Sequence, residues 1–487
     1  MNERRARYIL VVFGLLFITM IGYLTHMEIF YSDKYIESST NPRNTYRDVN
    51  IIRGTIFDKS GEILAYSEIT QIEPTITSDG QSDNEPIRKI VRRYPHNDLY
   101  TGVIGYVTSD YSSRTLIEDV YNTELLDTNI MTKISDEFSN KEITGKNIKL
   151  TIDHQLQTVA YTAMGSYKGA IVVMNPKTGA IYAMVSKPSQ DANNIIIDES
   201  EDNSSSLFSR PIQFTYPPGS TYKIITAAAI LEEGLEDEIY NDTNGSFIIE
   251  SSDGNPDNNY ECHNADGAIY YETDLNKGFT KSSNVYFAHM SVKLGAEKMR
   301  SISERFLLNN DISELFGFEL DVKTSHFQKG NMTDAEVAMS SIGQGQTEMT
   351  PLHLALVGST IANNGVMPKP YLVSSIGGEN VTPHVQGKQI ISPKIAKAIK
   401  DMMLNVTQSG TGTMASLSHM NIDVCGKTGT SENGEKGKTK DHALYVGFAP
   451  YDDPEILVCV ILENVGGYGG TYAAPISKKI MEQYFNN

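Results

Sequence analysis

The sequence predicts an α+β protein in which an antiparallel sheet is packed between helices. Two observations carry this reading. Apolar, strand-like pairs stand at both ends of the C-terminal two thirds: GAIVVMN and AIYAMVS across the turn Pro176-Lys177-Thr178-Gly179, and HALYVGFAP and EILVCVILE across Tyr451-Asp452-Asp453-Pro454. Turns that short join strands antiparallel. Between the two pairs the apolar pattern changes to helical spacing, and strands flanking a block of helices make a sandwich. At 487 residues the chain exceeds what one hydrophobic core fills, so more than one domain is expected.

Composition narrows the function classes. A net charge of -19 makes nucleic acid or an anionic membrane surface an unsuitable partner for the bulk of the chain, and no basic tract offsets it. Cys262, Cys425 and Cys459 are too few and too scattered for a disulfide framework, and no Cys/His spacing in the sequence resembles a zinc site. They read as structural thiols, with no metal and no cofactor expected.

Taken in order, Tyr8 to Leu24 is an uncharged apolar run of 17 residues, which Met27, Ile29 and Phe30 extend to a length that crosses a bilayer. Arg4, Arg5 and Arg7 precede it, so the first seven residues are expected on the cytoplasmic side and the rest outside. A cleaved signal peptide is the rival, but THMEIFYSDK follows instead of a small-residue cleavage site. Arg53 to Ala65 reads as two short strands joined by the turn Lys59-Ser60-Gly61-Glu62, residues 77–86 as a polar linker, and 87–142 as short amphipathic pieces. Around Gly145 the pattern tightens to a strand (GKNIKLTID) and a helix (HQLQTVAYTAMGSY). The expected organisation is a cytoplasmic tail 1–7, an anchor 8–30, an N-terminal pedestal 31–147 and a main domain 148–487. Residues 189–206 and 235–266 are polar and acidic and are expected as surface loops. Thr350-Pro351 starts a helix over LHLALVGSTIA, and a last helix runs to Phe485.

Chemistry concentrates at Tyr216 to Gly234, YPPGSTYKIITAAAILEEG. Pro217, Pro218 and Gly219 forbid regular helix before Ser220, and the apolar run from Ile224 to Leu231 favours a buried helix after it. Ser220 and Lys223 then share a face, with the amine in reach of the hydroxyl. Burying that lysine pushes it toward the neutral form a base needs. A lone Ser-x-x-Lys also fits a helix start with a solvated lysine, so the surroundings must decide. Ser282-Ser283-Asn284 puts a hydroxyl and an amide on a turn between two amphipathic runs, and Lys427-Thr428-Gly429-Thr430 follows the strand-like IDVCG. Two decoys exist. Lys177-Thr178-Gly179 is explained by a hairpin turn, and Ser431-Glu432-Asn433 opens a charged stretch that reads as loop. Only Ser220, Ser282 and Lys427 fall in the order Ser-x-x-Lys, Ser-x-Asn, Lys-Thr-Gly.

These three motifs in this order resemble the penicillin-binding proteins and serine β-lactamases. NPRN at 41–44, Arg53 to Ala65, Gly105-Tyr106 and the Glu118 region are similar to the opening of class B penicillin-binding proteins. GQGQTEMTPLHLA at 343–355 and HALYVGFAP at 442–450 are similar to their transpeptidase domain. Ser209-Arg210-Pro211 departs from a common Asn-Arg-Ala and is expected at the cleft's edge. The resemblance implies the penicillin-binding transpeptidase fold and a membrane-anchored D,D-transpeptidase that cross-links peptidoglycan stem peptides through a serine acyl-enzyme and binds β-lactams covalently. It implies Ser220 as nucleophile, Lys223 as general base, Ser282 as proton relay and Asn284 as a hold on the donor amide. Lys427, Thr428, Gly429 and Thr430 bind the terminal carboxylate, and the N–H groups of Ser220 and Thr430 form the oxyanion hole. A SEDS-family glycosyltransferase is the implied partner. A β-lactamase or D,D-carboxypeptidase would use the same residues with water as acceptor, and a β-lactam sensor would use them only to bind. Seven residues before the anchor are too few for a sensor's output. Nothing marks a base for a deacylating water, because Glu201 reads as polar loop and Glu232 as a helix end.

Overall fold

The computed structural model describes residues 3–36, 51–72, 87–108, 113–127, 144–196, 205–251, 254–382, 387–432 and 439–486. NPRN at 41–44, the linker at 77–86 and Glu201 lie outside them. The N-terminal apolar run falls in one helix, α1 (Glu3–Ile36), of 34 residues. Its large apolar side chains from Val11 to Leu24 are each more than half exposed. Among the described residues, no helix is long and apolar enough to cross a membrane.

The strands of the two large sheets are, in chain order, β1 (Ile56–Phe57), β2 (Ile63–Ile72), β3 (Ile87–Arg93), β4 (Ile148–Leu150), β5 (Gly169–Met174), β6 (Ile181–Lys187), β7 (Val373–Ile376), β8 (Glu379–Asn380), β9 (Cys425–Ser431), β10 (His442–Ala449) and β11 (Ile456–Leu462). The helices around them are α2 (His154–Ala163), α3 (Lys223–Glu232), α4 (Leu275–Lys281), α5 (Asn284–Arg305), α6 (Pro351–Ala362), α7 (Pro393–Ser409) and α8 (Gly469–Phe485).

The central sheet has the order β9-β10-β11-β5-β6, every neighbour antiparallel. Its strands alternate between two hydrophobic clusters. Val172, Leu444, Val446, Phe448, Leu457 and Cys459 face one, with α3, α6 and α7. Ile171, Ala443, Tyr445, Val458 and Val460 face the other, with α2 and α8. Because both faces are covered, ILVCVIL is apolar throughout rather than at every second position. All three cysteines are buried and free.

The second sheet has the order β8-β7-β4-β1-β2-β3, so it draws strands from both sides of residue 147. β1 pairs antiparallel with β2 around the expected turn and parallel with β4, which pairs with β7. Behind it, Glu118 is fully buried between Arg53 Nε at 2.6 Å and Arg92 Nε at 2.7 Å. Burial alone would raise the Glu118 carboxyl, but the two guanidinium groups hold it below the usual carboxylate range. Removing one member of such a buried group leaves an uncompensated charge, a loss of about 3–5 kcal/mol.

Candidate active site

Gly219 has φ 51°, and a Cβ there would lie 2.4 Å from the Thr430 carbonyl oxygen, so only glycine lets this turn press against β9. With two prolines before it, the chain enters α3 through a single 3₁₀ turn, Gly219–Tyr222, instead of the regular helix expected from Ser220. The difference helps the chemistry. Residues three apart eclipse in a 3₁₀ turn, and Lys223 Nζ stands 3.0 Å from Ser220 Oγ. Gly219 N–H donates to Gly343 O at 2.9 Å, which brings the GQGQ segment under the turn.

The Ser282-Ser283-Asn284 turn lies between helices, as expected. Ser282 is left-handed at φ 59°, and Ser283 caps α5 by accepting from Tyr286 N–H. Lys223 Nζ donates to Ser282 O at 2.8 Å and Asn284 Oδ1 at 2.7 Å. A neutral amine has two hydrogens, and these two oxygens take both. Its lone pair is then left for a hydroxyl, and Ser220 Oγ at 3.0 Å is nearer than Ser282 Oγ at 3.4 Å. Lys427 Nζ donates to Ser282 Oγ at 2.8 Å, while Lys223 Nζ lies 3.4 Å from the same oxygen, so Ser282 sits between the two amines.

Lys427, Thr428, Gly429 and Thr430 lie within β9, the edge strand, rather than after a strand. Thr428 Oγ1 is 2.5 Å from Thr411 Oγ1. Both lysines are fully buried, whereas Ser220, Ser282, Asn284 and Thr430 keep partial exposure at the cleft. Burial, and then the charge of Lys427, push Lys223 well below an ordinary lysine; burial brings Lys427 down to about 7. Among the described residues, none of the hydrogen bonds of Ser220, Lys223 or Lys427 goes to a carboxylate.

All eight residues singled out from sequence therefore meet in one place. Sequence reasoning missed what holds them. Residues 235–266, expected as surface loop, bury Asp242, Cys262 and Asn264. Asn264 Oδ1 accepts from Ser283 Oγ at 3.0 Å and Val285 N–H at 3.1 Å, its Nδ2 donates to Asp242 Oδ2 at 2.8 Å, and His263 O accepts from Asn284 Nδ2 at 2.9 Å. The one available signal was the alternating Phe247-Ile248-Ile249 and Tyr260-Cys262, which form a hairpin. In Ser209-Arg210-Pro211, Ser209 and Arg210 are buried, with Ser209 Oγ on Gly102 O at 2.6 Å and Arg210 Nε on Glu463 Oε1 at 2.9 Å. Tyr216 OH donates to the same Glu463 oxygen, which anchors the entry to the nucleophile turn. Of the decoys, Lys177-Thr178-Gly179 is a turn held by Asn175 Oδ1. Ser431 is not loop but the buried last residue of β9, and Asn433 lies outside the described residues.

Residues 169–482 match the penicillin-binding protein transpeptidase domain. The chain is 30% identical to peptidoglycan D,D-transpeptidase PbpA of Mycolicibacterium smegmatis over 97% of each chain. It is 32% identical to peptidoglycan D,D-transpeptidase MrdA of Haemophilus influenzae over 72% of this chain and 58% of that one. The ceftriaxone acyl-enzyme of penicillin-binding protein A from M. tuberculosis superimposes with a TM-score of 0.76 at 29% identity, covering 89% of this chain and 98% of the other. On the matched domain, the identity over nearly the whole chain and the superposition, the chain belongs to the penicillin-binding protein transpeptidase family, among its class B members.

Proposed function

We propose that this enzyme is a membrane-anchored peptidoglycan D,D-transpeptidase that works through a Ser220 acyl-enzyme and takes β-lactams as mimics of its donor. The observation that carries the reading is the buried Lys223 amine, 3.0 Å from Ser220 Oγ and within hydrogen-bond distance of Ser282 O and Asn284 Oδ1, two acceptors that can take the hydrogens of its neutral form. Ser220 Oγ attacks the carbonyl carbon between two terminal D-alanines and its proton passes to Lys223. The N–H groups of Ser220 and Thr430 take the oxyanion, each worth on the order of 10²–10³ in rate. Lys427, Thr428 and Thr430 hold the terminal carboxylate, and Asn284 the donor amide. As the tetrahedral centre collapses, the leaving D-alanine nitrogen receives the proton through Ser282. An acceptor amine then attacks the ester, and Ser220 regains its proton.

Water is the acceptor in the alternatives, a β-lactamase or a D,D-carboxypeptidase, and a β-lactamase needs a base for it. Glu232 is at the far end of α3, ion-paired with Arg305 and with Lys298 at 3.2 Å, which disfavours it for that task. The expected penicilloyl adduct on Ser220 therefore persists for many minutes after free drug is removed, followed by intact-protein mass spectrometry. Turnover within seconds with steady drug hydrolysis would establish the β-lactamase instead.

Anchoring is supported by Tyr8 to Leu24, whose 17 uncharged residues span about 26 Å as helix, and by the three arginines before it. Protease added outside spheroplasts is expected to digest residues beyond 31, whereas a mature protein beginning after residue 24 would show cleavage. An outward-facing, membrane-held site that only cross-links suits a SEDS-family glycosyltransferase as the partner that supplies glycan strands.

A further inference from the structure

Away from the reaction site, where the N-terminal sheet meets α2, a second group of side chains converges. Glu62 precedes β2, His96 follows β3, and His154 is the first residue of α2. Each offers one ligand atom, and these atoms all lie within 4.8 Å of one another. His96 Nε2 is 3.0 Å from Glu62 Oε1, and the His96 and His154 ring centres are 4.6 Å apart. Zinc bonds of about 2.0–2.1 Å in a tetrahedron place neighbouring donors about 3.3 Å apart, so the Glu62–His96 pair already stands near ligand spacing.

Three features hold the group in place. The Tyr100 hydroxyl, 2.6 Å from His154 Nδ1, fixes that ring and leaves Nε2 for a metal, the usual outer-shell arrangement for a ligating histidine. Asp58 accepts from the backbone N–H groups of Ser60, Gly61 and Glu62 and also of His154, so one carboxylate ties the turn carrying Glu62 to the start of α2. The carboxylates of Asp58 and Asp153 add negative charge beside His154, and Lys59 is already paired with Asp153 at 2.7 Å.

We propose that Glu62, His96 and His154 bind one divalent transition-metal ion, with zinc the best match to two imidazoles and a carboxylate, as a clip between the N-terminal sheet and the catalytic domain. Glu62 is half exposed, which gives the ion an entry path and solvent as a fourth ligand. The ion takes the place of the direct His96–Glu62 contact. The sequence expectation of no metal site rested on short Cys/His spacings, whereas these ligands stand 34 and 58 positions apart and meet only through the fold.

The test is equilibrium dialysis of the untagged full-length protein in detergent against Zn²⁺, with metal content and thermal midpoint measured. One chelator-removable ion per chain and a raised midpoint are expected. His96→Asn should remove both, and Tyr100→Phe should weaken binding by about 10–100-fold. Penicillin labelling of Ser220 should be unchanged in both variants. His263→Asn, beside Glu261 at 3.7 Å, is the control and should bind as the parent does. No saturable uptake by the parent, equal uptake by His96→Asn, or loss of uptake in His263→Asn would each overturn the assignment.

Discussion

Ser220→Ala is expected to abolish covalent penicillin labelling altogether while moving the thermal midpoint by only a few degrees. The hydroxyl is at a partly exposed position on the 3₁₀ turn, and among the described residues its one hydrogen bond is to Lys223. Losing it opens no cavity in the core and leaves Lys223 with its two carbonyl acceptors, so none of the mechanisms behind large destabilisation operates. In the proposed mechanism all of the covalent chemistry, in contrast, passes through that oxygen. Gel fluorescence with a labelled penicillin and a thermal melt of the same sample read both halves, and a labelled alanine variant would mean another nucleophile.

Lys223→Met is expected to slow acylation by on the order of 10²–10⁴, the usual contribution of a positioned base. Methionine keeps most of the length of the side chain but has no amine for the Ser220 proton. The parent's pH profile gives an independent check. An ordinary lysine as base would make the acylation rate climb about tenfold per pH unit up to its pKa near 10.4. Burial and the Lys427 charge hold Lys223 well below that, so a climb continuing toward pH 10 is not expected. Lys427, brought down to about 7, is cationic below that pH and loses its charge above it, and the carboxylate clamp goes with the charge. The second-order acylation rate, which reports the free enzyme, should therefore decline above pH 7. A steady rise to pH 10 would show that Lys223 is charged at neutrality.

The reaction centre was legible in the sequence because its parts obey local rules. Ser220 and Lys223 are tied by helical spacing, and Ser282 and Asn284 by a turn between amphipathic runs. The central strands β5, β6, β10 and β11 were legible because each is a short apolar run next to a tight turn. What sequence could not supply was long-range. Asn264 and Asp242 are ordinary polar residues in an acidic stretch until folding buries them against Ser283. The opening of α3 differed because Gly219 adopts φ 51° under contact with β9, a tertiary constraint that propensity does not contain. The ion pair of Arg210 was hidden for the same reason, since its partner Glu463 is 253 positions away.

The order of the strands has a consequence for how the enzyme comes into being. β1 must pair with β4, and β4 with β7, while the turn bearing Ser220 is shaped against β9 from residues 425–431. Contacts at such sequence separations form late, because the loop between them must close first. A chain emerging from its N-terminus therefore carries Ser220 and Lys223 long before it carries the strand that completes their pocket. A chain truncated before residue 425 is therefore expected to resist penicillin labelling, because its Ser220 turn has no β9 to be shaped against.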